Sequence, residues 1–421
     1  MEEHESLHSH IQDGERTVLT LLRWLAVASL TGAVCGLIGA AFYHGVSLAT
    51  QLREEQPWLL YAMPPAGLLI VWLYHVADME NDSGTNQIIA SVRSRERPRL
   101  RLLPLIFVST ILTHLTGGSS GREGAALQIG GSIGATLGKW LRLGEKNTNL
   151  IILCGMSAVF TALFGTPLTA TVFSIEVVSI GILHYSALLP CFLASLVSYA
   201  VALALGVAPT AYLLAGGPAL RALPLLQTGV LAAACAVVSI AFCAAMHAGA
   251  RLYRRFFPRP WLRILVGSAL IIAVTLLSGT RDYNGAGGEV ILRALAGEAR
   301  PWDFAVKLLL TALTLGAGFR GGEIVPAFFI GATFGCVAGE LLGLEAAFGA
   351  AVGLVAVFCG AVNCPLASIL LSVELFGSSH VLFFALACTV SYLLSGRYSL
   401  YSSQKIVYSK LEPTYINAGT H

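Results

Sequence analysis

The chain has 421 residues, of which 56% are hydrophobic and only 12% charged, with a formal net charge of +3. An ordinary soluble domain carries roughly 25% charged residues, so the composition describes an integral membrane protein. So small a net charge, with no basic residues interleaved with aromatics, excludes nucleic acid as a partner. The nine cysteines are scattered, most of them within apolar runs, and read as packing residues; neither a metal nor a cofactor is expected.

Residues 1–17 form a short, polar, acidic tail containing His4, His8 and His10, read as solvated rather than metal-binding. It is not a cleavable signal, because no small-residue cleavage site follows a short apolar core. Long apolar runs then recur, for example at 18–49, 58–76, 102–115, 225–248, 264–277 and 381–394. At about 20 residues per span they supply ten or more crossings or part-crossings of a lipid bilayer, all helical. The fold class is therefore an all-α integral membrane protein. Arg251, Arg254, Arg255 and Arg259 mark one loop for the cytoplasm, although the other loops are mixed.

Between two apolar runs lies Gly117-Gly118-Ser119-Ser120-Gly121-Arg122-Glu123-Gly124-Ala125. A charge at the centre of a membrane helix costs about 2.5 to 3.5 kcal/mol, and by default marks an ion or proton pathway. Glu123 is the leading candidate. Further along, Gly165-Thr166-Pro167-Leu168 leads to Glu176, and Val362-Asn363-Cys364-Pro365-Leu366 leads to Glu374, each glutamate nine positions after its proline. Upstream, the segment 126–134 resembles 327–335, and each follows a glycine-rich break. Two halves interrupted by Gly and Pro at corresponding places point to a transporter with a site at the membrane midplane. A helix interrupted there presents free N–H groups and about half a positive charge, which suits an anion. The competing reading, close helix packing through small residues, fits Gly130, Gly131 and Gly134 but not a glycine cluster holding two charges.

These motifs resemble the CLC family of chloride channels and proton-coupled anion antiporters. Gly121-Arg122-Glu123-Gly124-Ala125 is similar to its G-R-E-G-P element, Gly321-Gly322-Glu323-Ile324-Val325-Pro326 to its G-x-F-x-P element, and Ser399-Leu400-Tyr401 to the segment of its central tyrosine. Asp82-Ser83-Gly84-Thr85-Asn86 falls at its G-S-G-I-P loop. The resemblance implies two inverted-topology repeats of tilted and partial helices, about 18–215 and 222–405, within a transport domain at 18–405. A short tail at 406–421, without a regulatory domain, would follow. It also implies a homodimer with one pathway per subunit and Glu123 as the gating and proton-transfer glutamate. The anion would be held by Ser83, Gly84, Thr85, Asn86, Gly121, Gly124, Ile324, Val325 and Tyr401.

Three departures from the chloride pattern resemble the family's fluoride/proton antiporter branch. Glu323 replaces an apolar residue and supplies a second proton-transfer candidate. Thr85-Asn86 replaces Ile-Pro, and an alignment on Ser198 puts Ala208 where chloride exchangers carry an inner proton-transfer glutamate. The expected function is fluoride export driven by proton entry in a multi-pass protein of a bacterial inner membrane, not an enzyme. Fluoride is strongly hydrated, and replacing its water demands close donors. A chloride/proton exchanger or chloride channel is the alternative. A membrane enzyme lacks any H-E-x-x-H or G-x-S-x-G motif here, and a scaffold has no need of carboxylates beside glycine breaks. Simpler roles stand beside these: a helix cap for Glu323, pairing with a carbonyl or carboxylate for Arg122, a matched structural role for Glu176 and Glu374, a hydrogen-bonded core site for His114, and a core aromatic for Tyr401. Asp82 has no evident role and puts negative charge near an anion route.

Overall fold

The computed structural model describes residues 2–94, 96–212, 214 and 216–421, with side chains described from residue 18 onward; the three tail histidines lie outside that range. Among the described residues, sixteen α-helices follow one another as two runs of eight. The first run is α1 (Glu2–Glu55), α2 (Met63–Val76), α3 (Thr85–Ser91), α4 (Leu102–Leu115), α5 (Glu123–Trp140), α6 (Glu145–Phe164), α7 (Pro167–Glu176) and α8 (Leu188–Ala204). The second is α9 (Ala222–Phe256), α10 (Pro260–Ser278), α11 (Gly288–Leu295), α12 (Asp303–Ala317), α13 (Ile324–Leu341), α14 (Ala346–Val362), α15 (Pro365–Phe376) and α16 (Val381–Leu394). Among the described residues, seven helical segments are long and apolar enough to cross a membrane, and four shorter apolar helices accompany them. That mixture of full and partial helices is the one the repeat pattern predicts.

Matched local chemistry ends the matched helices. Gly165 closes α6 at φ +70°, and Asn363 closes α14 at φ +57°, the left-handed region that Gly and, among other residues, Asn tolerate best. Pro167 and Pro365 then open α7 and α15, where a missing N–H costs nothing. The centre is built from α5 against α6 and α13 against α14. A Cβ on Gly130 would stand 2.1 Å from the Gly155 carbonyl, and one on Gly331 2.3 Å from that of Gly353. Here the small residues do serve packing, letting two backbones touch. Outside, Leu277 and Leu341 are more than 80% exposed, as side chains facing lipid are.

The two runs are tied by a reciprocal brace. Glu176, at the end of α7, accepts the Leu366 and Ala367 N–H groups that open α15, at 3.1 and 2.9 Å. Glu374, in α15, accepts the Leu168 and Thr169 N–H groups that open α7, at 3.0 and 2.8 Å. Each carboxylate caps the other run's helix, which is the structural role expected of the matched pair.

The segment expected as a short tail at 406–421 contributes to a small sheet: β2 (Lys405–Tyr408) pairs parallel to β1 (Ser179–Ile180) and antiparallel to β3 (Tyr415–Gly419) in an otherwise helical fold. Gln404 donates to the Val177 and Val362 carbonyls at 2.8 and 2.9 Å, and Lys410 donates to the Tyr392 carbonyl at 2.7 Å. These bonds consume backbone carbonyls left over at the ends of α7, α14 and α16, a need that hydropathy does not reveal.

Replacing Glu176 with Ala removes the acceptor of two N–H groups, and hydrogen bonds to a charged group are worth about 1.5 to 3 kcal/mol each. Thermal unfolding in detergent is expected to show a loss of about 3 kcal/mol, with a smaller loss for Glu176→Gln. An unchanged melting profile would mean that the brace carries no load.

Candidate functional site

The glycine breaks before α5 and α13 meet. The Gly121 N–H donates to the Gly322 carbonyl and the Gly322 N–H to the Gly121 carbonyl, both at 2.7 Å, as a single antiparallel bridge. No side chain fits between the strands: a Cβ on Gly322 would lie 2.5 Å from the Gly124 nitrogen. Two helix N-termini therefore converge inside the molecule, each presenting N–H groups without intrahelical partners. His114 supports the bridge, its Nε2 lying 3.2 Å from the Gly121 carbonyl oxygen. Since that oxygen can only accept, Nε2 carries the proton.

Glu123, the first residue of α5, is fully buried. Its Oε2 accepts the Arg122 N–H at 3.0 Å and, across the junction, the Val325 N–H of α13 at 3.3 Å. Its Oε1 has no hydrogen-bond partner and stands 3.9 Å from Arg122 Nε. Arg122 lies over the Tyr43 ring at 4.5 Å and donates to the Leu163 carbonyl at 3.4 Å, which is pairing rather than an open seat for a ligand. Glu323 stands at the cap position of α13 but makes no capping bond, and its Oε2 has no partner. The capping reading of Glu323 therefore fails on geometry.

Two cavities reach the junction and share no lining residue. One, of about 350 Å³, is walled by Glu123, Arg122, His114, Tyr212 and Val325. The other, of about 360 Å³, is walled by Ser83, Gly84, Thr85, Asn86, Gln128 and Glu323, among others. The two glutamates thus face opposite ways, with glycine backbone between them. A Cβ on Gly124 would already be 3.0 Å from both Glu323 Oε2 and Gly322 Cα.

The remaining candidates divide. Thr85 donates to the Gly124 carbonyl at 3.3 Å and accepts from Gln128 at 3.4 Å. Asn86 spends its side-chain oxygen on the Ser403 N–H at 2.9 Å, which leaves the amide nitrogen as its donor. The Tyr401 hydroxyl is buried without a partner, and its neighbours Leu400 and Ser402 line the Glu323 cavity. Val325 offers its N–H to Glu123, and Ile324 is buried as the first residue of α13. Gly121 is different: its N–H and carbonyl are both consumed by the bridge, so it holds the junction together instead of offering a donor. Gly124 likewise contributes an anchoring carbonyl, which also accepts from Gln128 at 3.2 Å. Ala208 stands apart: it lines neither cavity, and Thr210, two residues further on, is a wall of the Glu123 cavity.

Two residues escaped the sequence reading. Gln128 lies one turn beyond Gly124, and its only sequence signal is an amide within an apolar helix. Arg320 answers the question of Asp82: its Nη1 lies 3.2 Å from Asp82 Oδ2, and its guanidinium covers the Tyr74 ring at 4.1 Å. The aspartate's charge is thereby neutralised beside the cavity.

Comparison with known proteins follows this geometry. The family model for the voltage gated chloride channel matches residues 66–396. A chloride/fluoride channel protein of Pseudomonas syringae pv. tomato is 35% identical over 402 residues, covering 93% of this chain and 88% of that one. A proton/chloride exchange transporter of Yersinia pestis is 24% identical, over 83% and 80% of the two chains. Among solved structures, a CLC-type fluoride/proton antiporter superposes with a TM-score of 0.88 at 33% identity, covering 92% of this chain and 98% of that one.

Two predictions test the junction. Gly322→Ala forces a Cβ against backbone, and overpacking of this kind costs about 1 to 3 kcal/mol or more. Folded yield is expected to fall steeply, whereas Gly144→Ala, with nothing within 4 Å, leaves it unchanged. Arg320→Gln strands the buried Asp82 carboxylate, a loss of about 3 to 5 kcal/mol, and the double variant Asp82→Asn/Arg320→Gln should recover most of the melting temperature. Equal melting of the single and double variants would refute the pairing.

Proposed function

Because the chain belongs to the voltage-gated chloride channel family, we propose that it is a proton-coupled fluoride antiporter of a bacterial inner membrane, acting as a homodimer with one pathway in each subunit. The observation that carries this reading is the seat of Glu123. Its carboxylate rests on the N–H groups that head α5 and α13, where helix dipoles favour negative charge, and a cavity opens on its far side. An anion arriving from the Glu323 side competes for the same donors. When Glu123 takes a proton it loses the charge that holds it there and moves into the 350 Å³ cavity, and the anion takes its place at the Val325 N–H. One position therefore serves carboxylate and anion in turn, and proton and anion move in opposite directions.

Glu323 is the proton acceptor on the opposite side. Of the acids lining its cavity, Asp82 is paired with Arg320, while Glu323 Oε2 is partnerless. The positive-inside rule supports a cytoplasmic location for that cavity. Arg254 lines it, and Arg93 donates to the carbonyl of Ser403, beside Ser402 in its wall. Protons that enter past Glu123 leave past Glu323, and fluoride travels the other way.

The names of the two relatives above 30% identity support fluoride as the anion. So does the supply of donors. The Asn86 amide and the Tyr401 hydroxyl can replace part of fluoride's water, while the Thr85 hydroxyl spends its one proton on the Gly124 carbonyl.

Liposomes holding the purified protein and loaded with fluoride or chloride are expected to release fluoride far faster, with protons taken up against their own gradient. Glu123→Gln should reduce proton uptake to the level of protein-free vesicles, since an amide cannot carry the proton. Chloride release at an equal rate would assign the protein to chloride instead, and proton-driven exchange persisting in Glu123→Gln would remove the gating role.

A further inference from the structure

A groove of about 660 Å³, apart from the transport route, lies between the segment leading into α4 and the last turn of α5. Its walls carry Arg97, Arg99, Arg101 and Lys139, flanked by Leu100 and Trp140. The Arg-Pro-Arg-Leu-Arg run explains the convergence. Arg97, before a proline, is held extended, and the turn that follows, closed by the Leu102 N–H on the Arg99 carbonyl at 3.0 Å, brings Arg101 round to the same groove. Arg97 is fixed as a wall by the Ser91 carbonyl at 3.0 Å, Asn149 Oδ1 at 2.6 Å and the Glu145 carbonyl at 3.3 Å. Arg99 stands 3.6 Å from Asp78. Arg101 and Lys139 have no hydrogen-bond or ion-pair partner among the described residues, so two cations converge on a concave surface without a counter-charge.

The depth of the groove says what meets it. The 18 residues of α5 run from Glu123 to Trp140, about 27 Å along the axis at 1.5 Å per residue. From a junction near the midplane, even a strongly tilted helix of that length ends among lipid headgroups, since the hydrocarbon half-thickness is about 15 Å. Trp140 is 70% exposed and Leu100 46%, an apolar rim beside cations, which is the pattern of an interfacial anchor rather than of a site for a water-borne anion.

We propose that this groove binds the phosphodiester headgroup of an anionic phospholipid in the cytoplasmic leaflet. Arg101 and Lys139 ligate the phosphate, and Trp140 seats at the boundary between headgroup and acyl chains. Basic recesses between membrane helices on the cytoplasmic side hold such headgroups by charge and shape together. The site is independent of the transported ion.

The test uses the full chain in phosphatidylcholine vesicles containing a minor fraction of brominated phosphatidylglycerol or, separately, of brominated phosphatidylcholine. The Trp140 signal is the difference between the protein and its Trp140→Phe variant. Quenching by brominated phosphatidylglycerol is expected to exceed that by brominated phosphatidylcholine by about threefold or more, and Arg101→Gln/Lys139→Gln to abolish the preference. Lys139→Gln alone, at an exposed helix end, should halve it roughly, and provides the readout if the double variant does not fold. Equal quenching by the two lipids overturns the proposal. So does displacement of the preference by millimolar glycerol phosphate, because a soluble phosphate would then be the ligand.

Discussion

Everything in this molecule is arranged around two helix N-termini that end inside the membrane at the same place. Water is scarce there, and each N-terminus carries N–H groups that no helix turn can satisfy. The Gly121–Gly322 bridge settles part of that demand with backbone alone, which is why neither position can carry a side chain. The Glu123 carboxylate settles another part, through two N–H groups from two different helices. A group held only by donors that an anion can also use can be displaced by one, which is the basis of the gating role proposed for Glu123. Its stability and its readiness to be displaced are the same interaction.

The junction could not be held so closely by a loose bundle. Glycine-to-carbonyl contacts along α5 and α6, and along α13 and α14, make each central pair rigid, and the reciprocal glutamate braces join one run to the other. Among the buried side-chain atoms without a hydrogen-bond partner are one oxygen on Glu123, one on Glu323 and the Tyr401 hydroxyl. An unpartnered oxygen on a buried carboxylate is costly, and the two glutamates beside the junction each carry one.

Much of this was legible in the chain itself, because its local signals are strong. Glycine beside glutamate in an apolar chain, and proline nine positions before glutamate in both halves, locate the two breaks and mark Glu176 and Glu374 as a matched structural pair, though not the helix ends they cap. What could not be read depends on meetings across long stretches of sequence. That Glu123 and Glu323 open on different cavities follows from how α5 and α13 abut, and that Asp82 is neutralised follows from an arginine 238 residues away. The small sheet was missed for a related reason. The strand at 405–408 is flanked by Gln404 and Lys410, whose side chains answer carbonyls left over at helix ends elsewhere, which no local pattern announces.

The crossed braces also set an order on the making of the protein. The N–H groups that open α7 find their acceptor in Glu374, some 206 residues later in the chain. At a synthesis rate of about 5 to 20 residues per second, the first half waits about 10 to 40 s with a helix end uncapped. During that interval it is already a membrane-inserted piece but not yet a finished one. The nascent first half is thus the form most in need of a chaperone or a neighbouring chain, and its closing contact arrives only when the second half repeats the same turn in mirror fashion.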